Sequence, residues 1–267
     1  MAPVISDGID GPVSELGQWV ATILTYGLAL AVLIWVVLLC RKERIVWPVF
    51  VILSGTLTCL MEPLFDHLYG LWFLEQGQWH LYTTFGSAQP IWVPAAYLAF
   101  YGGATVLIAG VIARRPAMRT VWMMYAFIVV MAIAAEMTYV SVLGVYQYQA
   151  SQPFVLFGYP IFLGFTNAMS ALVSGILVYR LAPLLRGWAY LYLLPIVPMA
   201  FAAGLFGEGI LYLSVRHSME HPPMVVVHVS ALTVVAGIAA TVALLGKVLV
   251  LPRQHQPVSS ERRLTAA

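Results

Sequence analysis

The sequence predicts an all-α membrane protein, a bundle of seven transmembrane helices with its N-terminus outside the membrane and its C-terminus inside. Composition is the first reason: 61% of the 267 residues are hydrophobic and only 9% are charged. Soluble domains carry about 25% charged residues, so lipid must solvate most of this chain. The second reason is a series of apolar stretches that could each cross the hydrocarbon core, which is about 30 Å thick.

Seven apolar stretches are long enough for transmembrane helices, which need about 20 residues each. They cover residues 17–40, 45–66, 91–113, 119–142, 160–183, 187–214 and 224–249. We treat the chain as one integral membrane domain, with residues 1–16 as an extracytoplasmic segment and 17–249 as the bundle. Residues 250–267 are expected to form a disordered cytoplasmic tail. Since no room is left for a soluble domain, the bundle must carry the function.

The orientation follows from the basic residues, which gather in alternate connections. They are Arg41, Lys42, Arg44, Arg114, Arg115, Arg119, Arg180, Arg186, Lys247, Arg253, Arg262 and Arg263. Lysine and arginine accumulate on the cytoplasmic side, so these connections face inward. The other side carries only Arg216, beside several acidic residues. The sequence therefore predicts a multi-pass protein of the cell membrane, with the lipid bilayer as its surroundings. A net charge of +2 without a separate basic block argues against nucleic acid as a partner.

A repeated unit links the second and fourth helices to the helices that follow them. Glu62 precedes the run Gly70-Leu71-Trp72 as Glu136 precedes Gly144-Val145-Tyr146. Phe-Gly pairs then precede Pro90 and Pro160, which we expect to open the returning helices because proline suits a first helical turn. The last two helices keep only the outline, with Glu208 and a proline-containing loop. The sequence therefore predicts a bundle built from repeated helical hairpins.

The connections at residues 67–90 and 144–160 are rich in aromatic residues and glycine. Tryptophan and tyrosine favour the membrane–water interface, so these residues could form an aromatic belt. The same segments are too apolar to lie free in water, which suggests a lid over a cavity. The sequence leaves both interpretations open.

The repeat places three carboxyl groups, Glu62, Glu136 and Glu208, at a similar depth within the predicted helices. Asp66 follows Glu62 by one helical turn and can share its face. Ionisable residues in a bilayer cost roughly 2.5–3.5 kcal/mol each and normally face the bundle interior. A neutral carboxylic acid beside an ionised one can donate and accept protons, so we expect these four to be catalytic.

Six further residues lie where they could bind a substrate: Trp72, Tyr97, Tyr139, Tyr146, Asn167 and His228. No metal or cofactor is predicted, because the two cysteines and six histidines lack the spacing of a metal site and no nucleotide-binding motif occurs in a suitable context. The remaining possibilities are acid–base chemistry without a cofactor, or transport.

The runs EPLFDHLYGLW and GQWHLYTTFGSAQPIWVPAAYLAFYGG resemble the spirocyclase family named for the membrane protein of avermectin biosynthesis. EMTYVSVLGVYQYQ and FGYPIF look like the downstream region of that family, and the likeness covers about residues 45–180. A more distant likeness is to the seven-helix membrane terpene cyclases, which place a catalytic carboxylate where Glu62 stands and another acidic residue where Glu208 stands. Both resemblances imply a lipophilic substrate, a buried acid and ring closure without a cofactor.

The sequence thus predicts a membrane-embedded, cofactor-independent cyclase or isomerase for a lipophilic terpenoid or polyketide of secondary metabolism. Glu62 would donate the proton, Asp66 would tune or reprotonate it, and Glu136 or Glu208 would stabilise the cation or accept the last proton. The alternative is a proton-coupled carrier or binding protein for a lipid or small molecule. A third possibility is a non-catalytic partner in a membrane complex. The oligomeric state does not follow from the sequence.

Overall fold

The computed structural model describes residues 11–114, 116–148, 151–219 and 221–247. Within these residues, seven helices are long and apolar enough to cross a membrane, by length and composition. They are α1 (Glu15–Glu43), α2 (Trp47–Tyr69), α3 (Val93–Ala113), α4 (Met118–Leu143), α5 (Phe162–Leu184), α6 (Gly187–Gly207) and α7 (Met224–Leu245). The all-α class is confirmed.

Most predicted helix bounds lie within three residues of the observed ones, but the sixth differs. The predicted stretch 187–214 divides into α6, which ends at Gly207, and a separate helix, Ile210–Ser218. Most of the predicted extracytoplasmic segment, the predicted tail and the last two residues of the predicted seventh helix lie outside the described residues.

Helix α5 is the centre of the bundle and α1 is at its edge. In the most apolar 18-residue stretch of each helix, 78% of α5 is buried in the protein but only 17% of α1. Helix α5 packs against α3, α4, α6 and α7, whereas α1 contacts α2, the start of α3 and the far end of α4. Helix α1 is therefore held near one end of the bundle and has a large apolar surface along its length.

Helices α2 and α3 approach closely at a contact between two glycines. A Cβ atom on Gly55 would lie 2.5 Å from the Cα atom of Gly102, so no larger residue fits without separating the helices. Gly102 ends a π-helical turn, Leu98–Gly102, that widens α3 at this level. Such turns are frequent at functional sites. The contact sets α3 against α2 about two helical turns before Glu62.

Three short antiparallel strand pairs lie in the connections at one end of the bundle. They are β1 (Leu71–Phe73) with β4 (Tyr146–Tyr148), β2 (His80–Thr84) with β3 (Ser87–Pro90), and β5 (Val155–Leu156) with β6 (Tyr159–Pro160). We call this end the hairpin end. The opposite end, with the turns around Arg44, Arg114 and Arg186, is called the basic end.

The β2–β3 and β5–β6 hairpins turn through the two Phe-Gly pairs of the sequence repeat. Phe85 and Gly86 have φ angles of 51° and 74°, and Phe157 and Gly158 have 48° and 76°. Two consecutive positive φ angles are the geometry of the type I′ turn, which matches the twist of a hairpin. The repeat is thus confirmed in the local backbone.

Strands β1 and β4 join the two repeated units to each other. Phe73 pairs with Tyr146 and Leu71 pairs with Tyr148. Each strand follows a helix that ends at a glycine in the left-handed conformation, Gly70 with φ 71° and Gly144 with φ 61°. This antiparallel pairing ties the end of α2 to the end of α4 at the hairpin end.

The expectation that Pro90 and Pro160 open the returning helices is wrong. Both prolines end strands, β3 and β6, and the helices begin at Val93 and Phe162. The Phe-Gly turn just before each proline extends the chain into a hairpin. A proline is tolerated at the end of a strand in a two-stranded pair, because its missing N–H need not serve a further strand.

Candidate active site

A cavity with a volume of about 770 Å³ lies within the bundle. Its lining comes from α1 to α6, from Trp92 before α3 and from Tyr146 of β4, and among the described residues it contains no residue of α7. The only described acidic residues in the lining are Glu62 and Glu136, and no described lysine or arginine is among them. The two carboxyl groups therefore face a mostly apolar space without a basic partner.

Glu62 lies on α2 and is 8% exposed. The hydroxyl of Tyr97, on α3, donates a hydrogen bond to its carboxyl group. Tyr97 is buried as well and lines the same cavity. The close crossing of α2 and α3 therefore fixes one acidic group and one hydroxyl together in the wall.

Glu136 lies on α4 just before a π-helical turn, Thr138–Leu143. Tyr146 donates to its Oε2 atom at 2.6 Å, and Tyr148 approaches the same atom at 3.3 Å. Burial, and then the charge and hydrogen bond of Glu136, raise the pKa of the Tyr146 hydroxyl well above its usual value. Tyr146 therefore stays protonated and serves as a hydrogen-bond donor to Glu136.

An aromatic cluster closes the cavity at the hairpin end. The ring of Trp92 lies 4.9 Å from that of Tyr139 and 6.3 Å from that of Tyr146, measured between centroids. Phe73 of β1 packs edge-on against Trp92 and Tyr146. Of the two interpretations of the aromatic connections, a cap over a cavity fits these buried residues.

Two hydroxyl contacts complete the polar wall and include residues that sequence reasoning missed. Thr25 of α1 lies 2.6 Å from the hydroxyl of Tyr139, and Tyr101 donates to Asn167 at 3.0 Å. Tyr101 lies one helical turn after Tyr97, a spacing that could have indicated a shared face. Thr25 offered no signal within an apolar run, because its role depends on the approach of α4.

Asp66 is fully buried but does not line the cavity. Its Oδ2 atom accepts hydrogen bonds from Ser87 Oγ and Gln89 Nε2, both at 2.7 Å. Both donors belong to β3, so the carboxyl group fastens the β2–β3 hairpin to α2. Its side chain points into the hairpin rather than into the cavity, so its predicted role in tuning or reprotonating Glu62 stays a prediction.

Trp72 was expected to bind the substrate, but it is not among the cavity residues. Successive side chains of a strand point to opposite faces. On β1, Phe73 faces Trp92 and Tyr146, so the neighbouring Trp72 points away from the cavity, although it is 3% exposed. Trp72 is thus packed in the cap rather than in the cavity wall.

Glu208 does not converge on the cavity with Glu62 and Glu136, contrary to expectation. Its Oε1 atom accepts a hydrogen bond from Thr241 of α7 at 2.6 Å. Gly237 leaves room for the carboxyl group, since a Cβ atom there would lie 3.2 Å from Glu208 Oε2. The π-helical turn Ala203–Gly207 immediately precedes Glu208, and its wider path sets which face the side chain takes.

His228 also lies outside this cavity. Its Nδ1 atom is 2.7 Å from the carbonyl of Met224, one turn earlier on α7, and its ring packs edge-on against Phe154. These contacts make it a packing residue between α7 and the hairpin end. Among the described residues, no group of three or more His, Cys, Asp and Glu side chains could hold a metal ion.

Comparison with known proteins does not assign this chain to a family. No protein-family model, no curated protein and no solved structure matches it. The residues of the cavity and the sequence resemblances are therefore what indicates the function of the chain.

Proposed function

We propose that this chain is a multi-pass enzyme of the cell membrane that cyclises or isomerises a lipophilic terpenoid or polyketide by acid–base chemistry. The observation that carries the proposal is the pair Glu62 and Glu136, which face one largely apolar cavity and each accept a tyrosine hydrogen bond. A pair of carboxyl groups in such a cavity can serve as acid and base.

Glu62 is the proposed acid and Glu136 the proposed base. Glu62 has one tyrosine donor, whereas Tyr146 and Tyr148 both approach Glu136. Two donors stabilise a carboxylate, which suits the group that takes up the final proton. The assignment of the acid agrees with the position implied by the terpene cyclase resemblance.

For a terpenoid, the neutral Glu62 carboxyl donates its proton to an alkene or epoxide, forming a C–H or O–H bond and a carbocation. An internal double bond or hydroxyl attacks the cation and closes the ring. Glu136 then removes one proton, so the product is an isomer of the substrate. The cycle ends when the proton passes from Glu136 back to Glu62 through the polar wall or through solvent exchange.

For a polyketide, the same groups would close a spiroketal from a dihydroxyketone. The first hydroxyl adds to the ketone and its proton moves to the carbonyl oxygen, which gives a hemiketal. Glu62 protonates the hemiketal hydroxyl, which leaves as water, and Glu136 takes the proton of the second attacking hydroxyl. The product is then lighter than the substrate by one water. The segment that resembles the spirocyclase family, Glu62 to Gly103, supplies Glu62, Trp92, Tyr97 and Tyr101 to the cavity wall.

The aromatic cap supports cation chemistry in two ways. The rings of Trp92, Tyr139 and Tyr146 border the cavity, and an aromatic face can stabilise a desolvated cation by about 2 kcal/mol or more. The cluster also covers the hairpin end of the cavity, where water would otherwise quench the cation.

We place the hairpin end outside the cell and the basic end in the cytoplasm. The basic connections Arg41–Arg44 and Arg114–Arg119 support this orientation, because lysine and arginine favour the cytoplasmic side. The two candidate catalytic carboxyl groups then lie in the outer half of the membrane.

The direct test incubates membranes containing the full chain with a polyprenyl epoxide, a polyprenyl alcohol and a long-chain dihydroxyketone, and analyses the products by mass spectrometry. In deuterium oxide, an alkene protonated by Glu62 must gain one deuterium on carbon, because the carboxyl proton exchanges with solvent. A ring-closed isomer of the epoxide that separates from it by chromatography, a ring-closed product of the alcohol with one deuterium on carbon, or a spiroketal lighter by one water supports the enzyme.

The carrier interpretation predicts a different result. A carrier would move a probe across a vesicle membrane without changing its covalent structure. Against it, the described polar residues of the cavity cluster toward the hairpin end, and Leu28, Leu107 and Phe127 line the rest. Transport of unchanged probe without any product would overturn the enzyme proposal.

A further inference from the structure

The cavity is polar at one end and apolar along the remainder of its length. Thr25, Glu62, Tyr97 and Glu136 lie toward the hairpin end. Farther toward the basic end, the described lining residues of α1, α3 and α4 are apolar or aromatic. They are Leu28, Val32, Trp35, Ala104, Leu107, Phe127 and Met131.

The apolar part has a length that can be counted along the helices. On α1, Trp35 follows Thr25, the only described polar residue of that helix in the lining apart from the indole of Trp35 itself, by 10 positions. At 1.5 Å per residue, this part extends about 15 Å beyond the polar end. The cavity as a whole can enclose a drug-sized ligand, since such pockets measure about 300–1,000 Å³.

The cavity is also open on the side between α1 and α4. These helices touch near the hairpin end, where a Cβ atom on Gly17 would lie 1.8 Å from the carbonyl oxygen of Leu143. Toward the basic end the lining residues Leu28 of α1 and Phe127 of α4 are each 58% exposed. Leu107 of α3, between them, is 43% exposed. Since these residues are apolar, the opening would face lipid rather than water.

From this shape we infer that the cavity binds an elongated single-chain amphiphile that enters from the bilayer between α1 and α4. Its polar or reactive end lies against Glu62 and Glu136, and its apolar chain runs about 15 Å toward the basic end. The inference rests on the proposed function and deepens it, by naming the form of the substrate and its route.

The test uses binding alone, with the full chain in lipid nanodiscs and dodecanol as the probe. One form of the probe carries a diazirine on the terminal carbon and the other carries it beside the hydroxyl carbon. After irradiation, labelled residues are mapped by mass spectrometry with and without excess unlabelled dodecanol. We expect the terminal diazirine to label Leu107 and Phe127, and the hydroxyl-side diazirine to label Tyr97 and Tyr139. Excess dodecanol should abolish both.

A matched pair of variants tests the chain-binding part of the cavity. Ala104 lines the cavity, whereas Ala113 lies exposed at the end of the same helix and is not in the lining. Ala104→Phe should reduce the competable labelling at Leu107 about tenfold, since the phenyl ring would occupy the space that the probe chain fills. Ala113→Phe should leave it unchanged. Gel-filtration profiles of both variants in detergent check that they are folded.

Three results would overturn the inference. The first is labelling that excess dodecanol does not reduce and that is as strong at the exposed residue Val130 as at the cavity residues. This would mean that the probe adsorbs to the protein surface. Another is the reverse assignment of the two diazirine positions. The third is an equal effect of Ala104→Phe and Ala113→Phe. Competable labelling by a protein that converts no substrate would contradict the proposed function and leave this inference standing.

Discussion

Glu62 and Glu136 occupy equivalent positions in two repeated units and face the same cavity. Each accepts a hydrogen bond from a tyrosine, but the donors come from different places. The donor to Glu62, Tyr97, lies on the returning helix α3, whereas the donor to Glu136, Tyr146, lies on strand β4 just after α4. The repeat therefore places two similar carboxyl groups in one site, and the different donors give them different surroundings. That difference is what an acid and a base in one site require.

Removing the tyrosine donor to Glu136 should slow the reaction. Tyr146→Phe keeps the ring and deletes the hydroxyl that donates to Glu136 at 2.6 Å. A hydrogen bond to a charged group contributes about 1.5–3 kcal/mol, so product formation should fall about tenfold to a hundredfold. Initial rates in membranes at equal protein levels measure this. Tyr192→Phe is the control, because Tyr192 is 73% exposed. Equal rates for both variants would remove Tyr146 from the site.

Asp66 should prove to be structural. Asp66→Ala leaves the buried Ser87 hydroxyl without its acceptor, which costs about 1–3 kcal/mol, and removes one of the two acceptors of Gln89 Nε2. Asp66→Asn retains an acceptor oxygen and should lose less stability. Thermal unfolding of the purified protein in detergent measures the difference. We expect Asp66→Asn to keep forming product, and an inactive but stable Asp66→Asn variant would restore Asp66 to a catalytic role.

The Phe-Gly turns should be sensitive to substitution of their glycines. Gly86→Ala places a side chain at φ 74°, which costs about 1–2 kcal/mol. Gly158→Ala should cost more, because its Cβ atom would also lie 2.7 Å from Val140 Cγ1. Gly110→Ala is the control: nothing lies within 4 Å of the added atom, and alanine favours a helix. Thermal unfolding of the three variants should rank Gly158→Ala lowest, and any other lowest variant would contradict the turn geometry.

The orientation can be checked with two reporter fusions. A reporter after Ala267 should be active in the cytoplasm, and one inserted near Gln78 should be active outside, because basic residues favour the cytoplasmic side. A phosphatase that functions only outside and a fluorescent protein that functions only inside give the two readouts. The reverse pattern would mean the opposite orientation, with the candidate catalytic carboxyl groups in the inner half of the membrane.

The sequence was sufficient for the helices and for the repeat, because both are local. Apolar runs predict α1 to α7, and the matched Phe-Gly pairs predict the repeat, although not the type I′ turns that they form. The position of Glu208 could not be predicted, because it depends on the π-helical turn Ala203–Gly207 and on the space beside Gly237. Trp72 was misplaced for a related reason. Only the pairing of β1 with β4 determines which face of the strand it takes.

Thr25 is the converse case, a residue of the cavity wall that the sequence did not predict. Helix α1 has the most apolar window of the seven helices in the described part of the chain, with a mean hydropathy of 2.6. One threonine within it carries no local signal. It becomes part of the cavity wall only because Tyr139 of α4 lies 2.6 Å away.

The central claim is that Glu62 and Glu136 act together and that Glu208 does not. Glutamine is nearly the size of a neutral glutamic acid and still forms hydrogen bonds, so each Glu→Gln variant should fold but lack a transferable proton. The most direct measurement is the rate of product formation by Glu62→Gln, Glu136→Gln and Glu208→Gln in membranes at matched protein levels. Glu62→Gln and Glu136→Gln should each lose about 10²–10⁴-fold, the usual contribution of general acid–base catalysis, and Glu208→Gln should match the wild type. Full activity of Glu62→Gln or Glu136→Gln, or a comparable loss in Glu208→Gln, would contradict the account.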